Sequence, residues 1–364
     1  MINYKNHIFD TFNCDLWTHL RNTDKPILIY GMGNGADKII SYFEKYNITY
    51  NDVFASDGFV RGHKYRDKVV ISYSEACEKY GNDFIIVLSF GSRLDDVMKI
   101  MYELDKKHEF YAPDVPVCPG ELFNEEFFDT HEKELYDARS LLFDEKSKEI
   151  FDNIIRFKLT GKLCYLKATE NSEENVNKEI LKCEKYEIYA DLGAYNGDTV
   201  RSYLEYCPNL KEIHAFEPDS RNYKKLSIYA ENENRAKVYA YNYASYDKDG
   251  IVEFISSGNR NSSKGGTNSF KSKTIQIEAR RLDSVISKAD FIKYDVEGAE
   301  YEAILGSSKV IIDNSCDLLI SMYHKSEDMY LLPLLIHKIK PEYKLYLRRF
   351  PYIPAWDLNL YAIN

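Results

Sequence analysis

The sequence has 364 residues, a length that favours two domains over one or three. Because 44% of the residues are hydrophobic and 29% charged, the composition excludes a disordered, collagen-like or low-complexity chain. Lys and Arg total 48 against 58 Asp and Glu, so the formal charge is −10 and no broad basic face is expected. Nucleic acid is therefore excluded as a predicted partner.

The seven cysteines are scattered singly, without the C-x-x-C spacing of zinc or redox sites. We expect reduced thiols and predict no metal ligands. Residues 1–20 lack the apolar core of a signal peptide, and no run of about 18 apolar residues occurs. These features predict a soluble, cytoplasmic protein without a membrane span.

The first part of the chain alternates apolar runs with helical spacing, which predicts parallel strands joined by helical crossovers. The expected elements are strands at 26–30, 53–55 and 84–88 and a helix at 36–46. We predict a Rossmann-like α/β domain over residues 1–120.

A glycine-rich turn follows the first of these strands. Gly31, Gly33 and Gly35, with Asp57 at the end of the second strand, have the position of a nucleotide fingerprint, although the third glycine is one place early. The segment resembles the N-terminal domains of transferases that bind a nucleotide or nucleotide sugar. The alternative is that the turn only packs a helix on a strand.

Three prolines within residues 113–120 mark a domain edge. Residues 121–160 then carry apolar positions at helical spacing among many charges, which predicts a pair of connecting helices. A polar stretch at 168–178 precedes the next strand. We predict a helical linker over residues 121–178.

A second α/β series predicts a domain over residues 179–364, with strands at 187–192, 212–216, 237–240, 291–295, 318–322, 343–347 and 358–363. The first five alternate with helical segments and predict a parallel sheet. The last two are joined by a Pro-rich loop without a helix, which indicates an antiparallel hairpin at the sheet edge. The loop over 256–273 is longer than a connector needs and is either a binding loop or a disordered one.

Asp191 lies at the end of the first strand of this series and is followed by Gly193, Gly197 and a helix. Glycine lets the backbone approach a ligand, and a helix N-terminus offers unpaired N–H groups. The pattern favours a nucleotide-like cofactor, with a tight strand-to-helix turn as the alternative. The spacing differs from G-x-G-x-x-G, so it gives little support to a pyrophosphate site.

Acidic residues end two further strands. Glu217 has the position at which Rossmann folds bind the ribose hydroxyls, or it caps the next helix. Asp295, Glu297 and Glu300 follow a strand and repel one another unless a cation, a substrate ammonium or a hydrogen-bond donor lies among them. Their alternative role is to stabilise a helix N-terminus.

Six pieces of the sequence occur in order: residues 191–199, Phe216-Glu217-Pro218, Asn242-Tyr243-Ala244, Arg281-Leu282-Asp283, residues 295–300 and Tyr323-His324-Lys325. Together they resemble the FkbM family of S-adenosylmethionine-dependent methyltransferases, over about half of the chain. The resemblance implies an α/β class I methyltransferase domain with a seven-stranded sheet that ends in an antiparallel hairpin.

The resemblance also implies roles for individual residues, with S-adenosylmethionine as the cofactor. The methionine end would be held by Asp191, Gly193, Ala194 and Gly197. Glu217 would bind the ribose, and the adenine would be lined by Asn242, Ala244 and Ser245. Asp295 would face the methyl group, and the acceptor side would be formed by Glu297, Glu300, His324 and the loop 256–273.

Methyl transfer from a sulfonium requires in-line approach of a nucleophile, and a base is needed only for a hydroxyl acceptor. His324 and Asp295 are the two candidate bases. With an amine acceptor, the acidic cluster would bind the ammonium.

The sequence therefore predicts methyl transfer to an oxygen or nitrogen of a small or carbohydrate acceptor, with surface polysaccharides or glycans favoured by the resemblance. One alternative is a protein that binds NAD or a nucleotide sugar without methyl transfer. Another is a scaffold that binds the cofactor only. The glycine spacing and the terminal hairpin disfavour a dinucleotide site.

Overall fold

The computed structural model describes residues 4–60, 62–256 and 273–364. The interior of the loop predicted at 256–273 lies outside these residues. Among the described helices, none has the length and apolar character needed to cross a membrane.

A parallel five-stranded sheet occupies the first part of the chain, in the order β5-β2-β1-β6-β7. The strands up to this point are β1 Ile27–Tyr30, β2 Asp52–Ala55, β3 Lys64–Tyr65, β4 Lys68–Val69, β5 Ile71–Ser72, β6 Ile85–Leu88 and β7 Glu109–Tyr111. The helices are α1 Tyr4–Ile8, α2 Leu16–Asn22, α3 Asn34–Tyr46, α4 Tyr73–Tyr80 and α5 Asp95–Asp105. Strands β3 and β4 form a separate antiparallel pair.

Both faces of this sheet are covered by helices, as the alternation of side chains along a strand requires. In β1, Leu28 and Tyr30 pack in the cluster that contains residues of α4 and α5. Ile27 and Ile29 pack on the other face with residues of α2 and α3. The predicted α/β architecture is confirmed, although the short strands β5 and β7 were not predicted.

Helices connect this sheet to the next: α6 Glu125–Ser140, α7 Glu145–Thr160, α8 Leu163–Lys167 and α9 Glu173–Val176. They are packed rather than extended, since one apolar cluster runs from Leu28 through Phe151 in α7 to Leu345 in the second sheet. The domain limits at residues 120 and 178 stay predictions.

The second sheet has seven strands in the order β10-β9-β8-β14-β15-β17-β16. The strands of this part are β8 Ile188–Leu192, β9 Glu212–Phe216, β10 Lys237–Tyr241, β11 Ala244–Ser245, β12 Gly250–Ser256, β13 Lys273–Arg280, β14 Phe291–Tyr294, β15 Asp317–Ser321, β16 Lys344–Arg349 and β17 Leu358–Ile363. Only β17 runs antiparallel to its neighbours, β15 and β16. The predicted sheet and its terminal hairpin are confirmed.

The remaining helices are α10 Asp198–Tyr206, α11 Ser220–Asn232, α12 Leu282–Val285, α13 Glu300–Leu305, α14 Ser308–Asn314 and α15 Asp328–Ile339. Strands β11, β13 and β12 form a small third sheet that was not predicted. Its two longer strands flank the polar stretch that the sequence analysis assigned to a loop.

The arginine at the end of β16 links the terminal hairpin to the connecting helices by hydrogen bonds. Arg349 has no exposed surface, and its guanidinium donates to the carbonyl oxygens of Leu166, Phe350 and Tyr352 and to the hydroxyl of Thr169, at 2.6–3.0 Å. A charged group at this depth is tolerated because the acceptors surround it.

Replacing Arg349 with Ala leaves these buried acceptors unpaired, and we expect a loss of about 3–5 kcal/mol in the free energy of unfolding. Urea denaturation followed by circular dichroism measures this loss. The control Arg21→Ala, at an exposed position of α2, should change it by less than about 0.5 kcal/mol. A loss below about 1 kcal/mol for Arg349→Ala would contradict this role.

Candidate active site

Four strands of the second sheet deliver polar side chains to one edge. Asp191 lies in β8, Glu217 follows β9, Asp295 follows β14 and His324 comes shortly after β15. These strands are parallel, so their carboxyl ends meet at the same side of the sheet. Ligands of open α/β sheets bind at this side.

The turn after β8 is shaped by two glycines in the left-handed region. Gly193 has φ +98°, and a Cβ there would lie 1.9 Å from the Asp295 carbonyl oxygen. Its N–H and that of Ala194 both donate to the Phe216 carbonyl oxygen, at 3.0 and 2.9 Å. Gly197 has φ +83° and precedes α10. The turn thus lies in contact with the ends of both neighbouring strands.

Glu217 ties this turn to the start of the next helix. One carboxylate oxygen accepts from the Tyr195 N–H at 2.9 Å, and the other accepts from the Asp219 N–H at 2.8 Å. The side chain capping α11 is that of Asp219 and not that of Glu217. Glu217 is 7% exposed, and burial raises its pKa to about 7.

A buried lysine joins two of the predicted carboxylates. Lys293 Nζ lies 3.3 Å from Asp295 Oδ2 and 3.6 Å from Asp191 Oδ1. Burial lowers the pKa of Lys293, but the charges of Asp295 and Asp191 outweigh it and raise this pKa to about 12. The other Asp191 oxygen accepts from the Thr199 hydroxyl. Burial raises the pKa of Asp191.

The residues expected around the adenine divide into two groups. Asn242 lies beside Glu217, since its side-chain amide donates to the Glu217 carbonyl oxygen at 2.8 Å. Ala244 and Ser245 are buried in the small sheet, where they pair with β13.

The acceptor-side residues form a compact cluster. His324 is 1% exposed, and its Nδ1 lies 3.0 Å from Glu300 Oε1, which also accepts from the Val296 N–H at 2.9 Å. His324 Nε2 lies 3.6 Å from Asp295 Oδ1 and 3.8 Å from Glu297 Oε2. Burial lowers the pKa of His324, but Glu300, Asp295 and Glu297 raise it to about 10. Glu300 is fully buried, whereas the Glu297 side chain is 71% exposed.

The carboxyl edge of the first sheet adjoins this cluster. After β7 the chain passes Cys118, whose thiol donates to the Glu297 carbonyl oxygen at 2.9 Å. A Cβ at Gly298 would lie 3.1 Å from the Cys118 Sγ. After β6, Ser92 exchanges two backbone hydrogen bonds with Ile353 in the turn of the terminal hairpin. The two sheets therefore meet beside this cluster.

The glycine turn of the first sheet is filled by protein atoms at two of its three glycines. A Cβ at Gly35 would lie 2.0 Å from the Ser89 carbonyl oxygen, and one at Gly31 would lie 2.8 Å from the Ser89 hydroxyl. Asp57 accepts from the backbone and the hydroxyl of Ser74. This geometry favours the packing role that the sequence left open, and nucleotide binding there stays a prediction.

Sequence analysis missed three residues of the site. Lys293 could have been predicted from the sequence, because a lysine within an apolar strand needs a buried partner of opposite charge. Cys118 could not, since its contact with Glu297 joins distant parts of the chain. Asp357 follows the hairpin turn, where burial and the charge of Asp295 raise its pKa to about 6.

Comparison with known proteins now identifies the class of this fold. The crystal structure of methyltransferase FkbM from Methylobacillus flagellatus KT is similar, with a TM-score of 0.68 and 19% identity over 100% of this chain and 94% of that chain. The fold is thus that of a methyltransferase. Residues 191–337 match the family model described as "Methyltransferase FkbM domain". The predicted resemblance to the FkbM family is confirmed for these residues.

Other solved structures are similar to a smaller part of the chain. Aeropyrum pernix fibrillarin in complex with S-adenosyl-L-methionine has a TM-score of 0.29 and 11% identity over 50% of this chain and 67% of that chain. A precorrin-6y C5,15-methyltransferase from Geobacter metallireducens has a TM-score of 0.34 and 10% identity over 54% and 95%. A search of the curated proteins found no match to the sequence.

The substitution Gly193→Ala tests the turn after β8. Its methyl group would collide with the Asp295 carbonyl, and its φ is unfavourable for alanine, so the strand ends must separate. We expect binding of S-adenosylhomocysteine to weaken at least tenfold and stability to fall by about 2 kcal/mol or more. Isothermal titration calorimetry and urea denaturation measure the two effects.

The matched control is Gly58→Ala, because a Cβ at Gly58 meets no atom of the described residues within 4 Å. This variant should bind and unfold like the parent protein. Unchanged ligand binding by Gly193→Ala would show that the turn has no part in the site.

Proposed function

We propose that this protein transfers a methyl group from S-adenosylmethionine to an oxygen or nitrogen of a small or carbohydrate acceptor. The observation that carries the proposal is the carboxylate of Glu217, buried at the end of β9 and hydrogen-bonded to the turn after β8. Such a carboxylate at the second strand of the sheet is suited to accept hydrogen bonds from ribose hydroxyls.

The residues present fit the cofactor. The Glu217 carboxylate accepts two backbone N–H groups and the Asn222 side chain, which leaves one lone pair for a ribose hydroxyl. Asp191 Oδ1 is buried and lies 3.6 Å from Lys293 Nζ, so Asp191 places a negative charge beneath the turn at Gly193. Gly193 and Gly197 both have positive φ and pack closely against Asp295 and Tyr229, so they set the path of the turn. When bound, the cofactor supplies a methyl group on a positively charged sulfur.

Asp295 and His324 differ in their access to an acceptor. The Asp295 side chain is 30% exposed and lies two residues before the exposed Glu297, whereas His324 is 1% exposed. We therefore assign to Asp295 direct contact with the acceptor. His324 and Glu300 hold the turn after β14 and the carboxylates around it, which makes them positioning residues.

The acceptor class follows from the charges at the rim. Asp295, Glu297 and Asp357 are carboxylates, which bind hydroxyl or ammonium groups well and repel anions. A sugar hydroxyl or an amine fits this rim, and the FkbM relationship supports a role in polysaccharide or glycan modification. NAD binding without methyl transfer is disfavoured by the strand order, which ends in an antiparallel hairpin.

Thermal melting with each cofactor tests this proposal. We expect S-adenosylhomocysteine to raise the melting temperature of the full chain and NAD to leave it unchanged. Incubation of sugars and amines with methyl-labelled S-adenosylmethionine should then give a product one CH2 heavier, identified by mass spectrometry. A rise with NAD and none with S-adenosylhomocysteine would remove the assignment.

Cofactor affinity should depend on pH through Glu217. Its pKa of about 7 lies above the ordinary value because burial disfavours the charged form, with a smaller contribution from the charge of Asp219 and opposing hydrogen bonds from Tyr195, Asp219 and Asn222. The ionised carboxylate accepts stronger hydrogen bonds. Since its ionised fraction falls about tenfold between pH 8 and pH 6, the affinity for S-adenosylhomocysteine should fall about tenfold over that range.

Titration calorimetry at several pH values measures this fall. Glu217→Gln should bind more weakly at pH 8 and should lose the pH dependence, whereas Glu231→Gln, at an exposed position of α11, should retain both. A pH dependence that persists in Glu217→Gln would assign it to another group.

A further inference from the structure

The cluster around His324 has an excess of negative charge. Asp295, Glu297 and Glu300 all lie within 4 Å of its imidazole. The one lysine in contact with this cluster among the described residues is Lys293, which is shared with Asp191. Grouped carboxylates of this kind are stabilised by a cation among them.

One buried atom of the cluster lacks a partner. Glu300 Oε2 forms no hydrogen bond within the described residues, although Glu300 is fully buried. Buried polar atoms are rarely left in this state, and an absent ion is one of the usual reasons. The unpaired oxygen is evidence for a cation that does not depend on the number of carboxylates around His324.

The geometry is compatible with coordination. Asp295, Glu300 and His324 each offer one ligand atom, and these atoms all lie within 4.8 Å of one another. Ligands at about 2.0–2.3 Å from one cation are separated by up to about 4.5 Å, so only small movements are needed. Two carboxylates and a neutral imidazole suit Mn²⁺, Zn²⁺ and, less well, Mg²⁺, so binding of the cation releases the proton of His324 to solvent.

We propose that Asp295, Glu300 and His324 bind a divalent cation. Because Asp295 is partly exposed, the cation has an open position towards the acceptor side. A hydroxyl bound there loses its proton more readily to water. The easier loss of the hydroxyl proton rests on the proposed methyl transfer, whereas cation binding itself does not. In this arrangement Asp295 is a metal ligand and not a general base.

Mn²⁺ binding to the full chain tests the proposal. After treatment with EDTA and removal of the chelator, the free Mn²⁺ signal in electron paramagnetic resonance is titrated against the protein. We expect one saturable site per chain and at least a tenfold weaker affinity in Asp295→Asn and in His324→Ala. The control Asp313→Asn, an exposed acid on α14, should bind like the parent.

Two results would overturn the proposal: no saturable Mn²⁺ binding by the parent protein, or unchanged binding in both variants. Asp295→Asn is nearly isosteric and partly exposed, so it remains informative if His324→Ala fails to fold. Calorimetry with S-adenosylhomocysteine on the same samples separates the two proposals. If the parent protein does not bind S-adenosylhomocysteine, the assigned cofactor is contradicted and the cation result still stands.

Discussion

A buried ammonium between two strands sets the charge of the whole site. β8 and β14 pair in register, so that Lys293 stands opposite Asp191 and two residues before Asp295. Without this ammonium, the fully buried carboxylate of Asp191 would lie in a low-dielectric interior with no positive charge beside it and would take up a proton. The pairing of the strands thus fixes which groups are charged at the carboxyl edge.

The residues at this edge stabilise the fold and also form the proposed ligand-binding site. Glu217 binds the backbone on either side of it, and Glu300 binds both the turn after β14 and His324. Substitution of such residues changes the shape of the site together with its chemistry. The first sheet takes part in the same arrangement through Cys118, and we regard it as a support for the acceptor side more than as a separate nucleotide-binding unit.

The sequence predicted the main strands and the terminal hairpin because buried parallel strands are continuous apolar runs. It also predicted the edge at which Asp191, Glu217 and Asp295 lie, since parallel strands end at one side of a sheet. It did not predict the small third sheet, whose strands flank a polar stretch with the composition of a loop. Contacts between distant segments, such as Cys118 with Glu297, leave no local pattern.

The central claim is that the cofactor lies across the carboxyl edge of the second sheet, with its ribose at Glu217. A crystal structure of the full chain with S-adenosylhomocysteine tests this most directly. The account predicts ribose hydroxyls within hydrogen-bond distance of the Glu217 carboxylate and the amino-acid end of the ligand over the turn at Gly193. Ligand density at the first sheet, beside Gly33, with the edge at Glu217 empty, would contradict it.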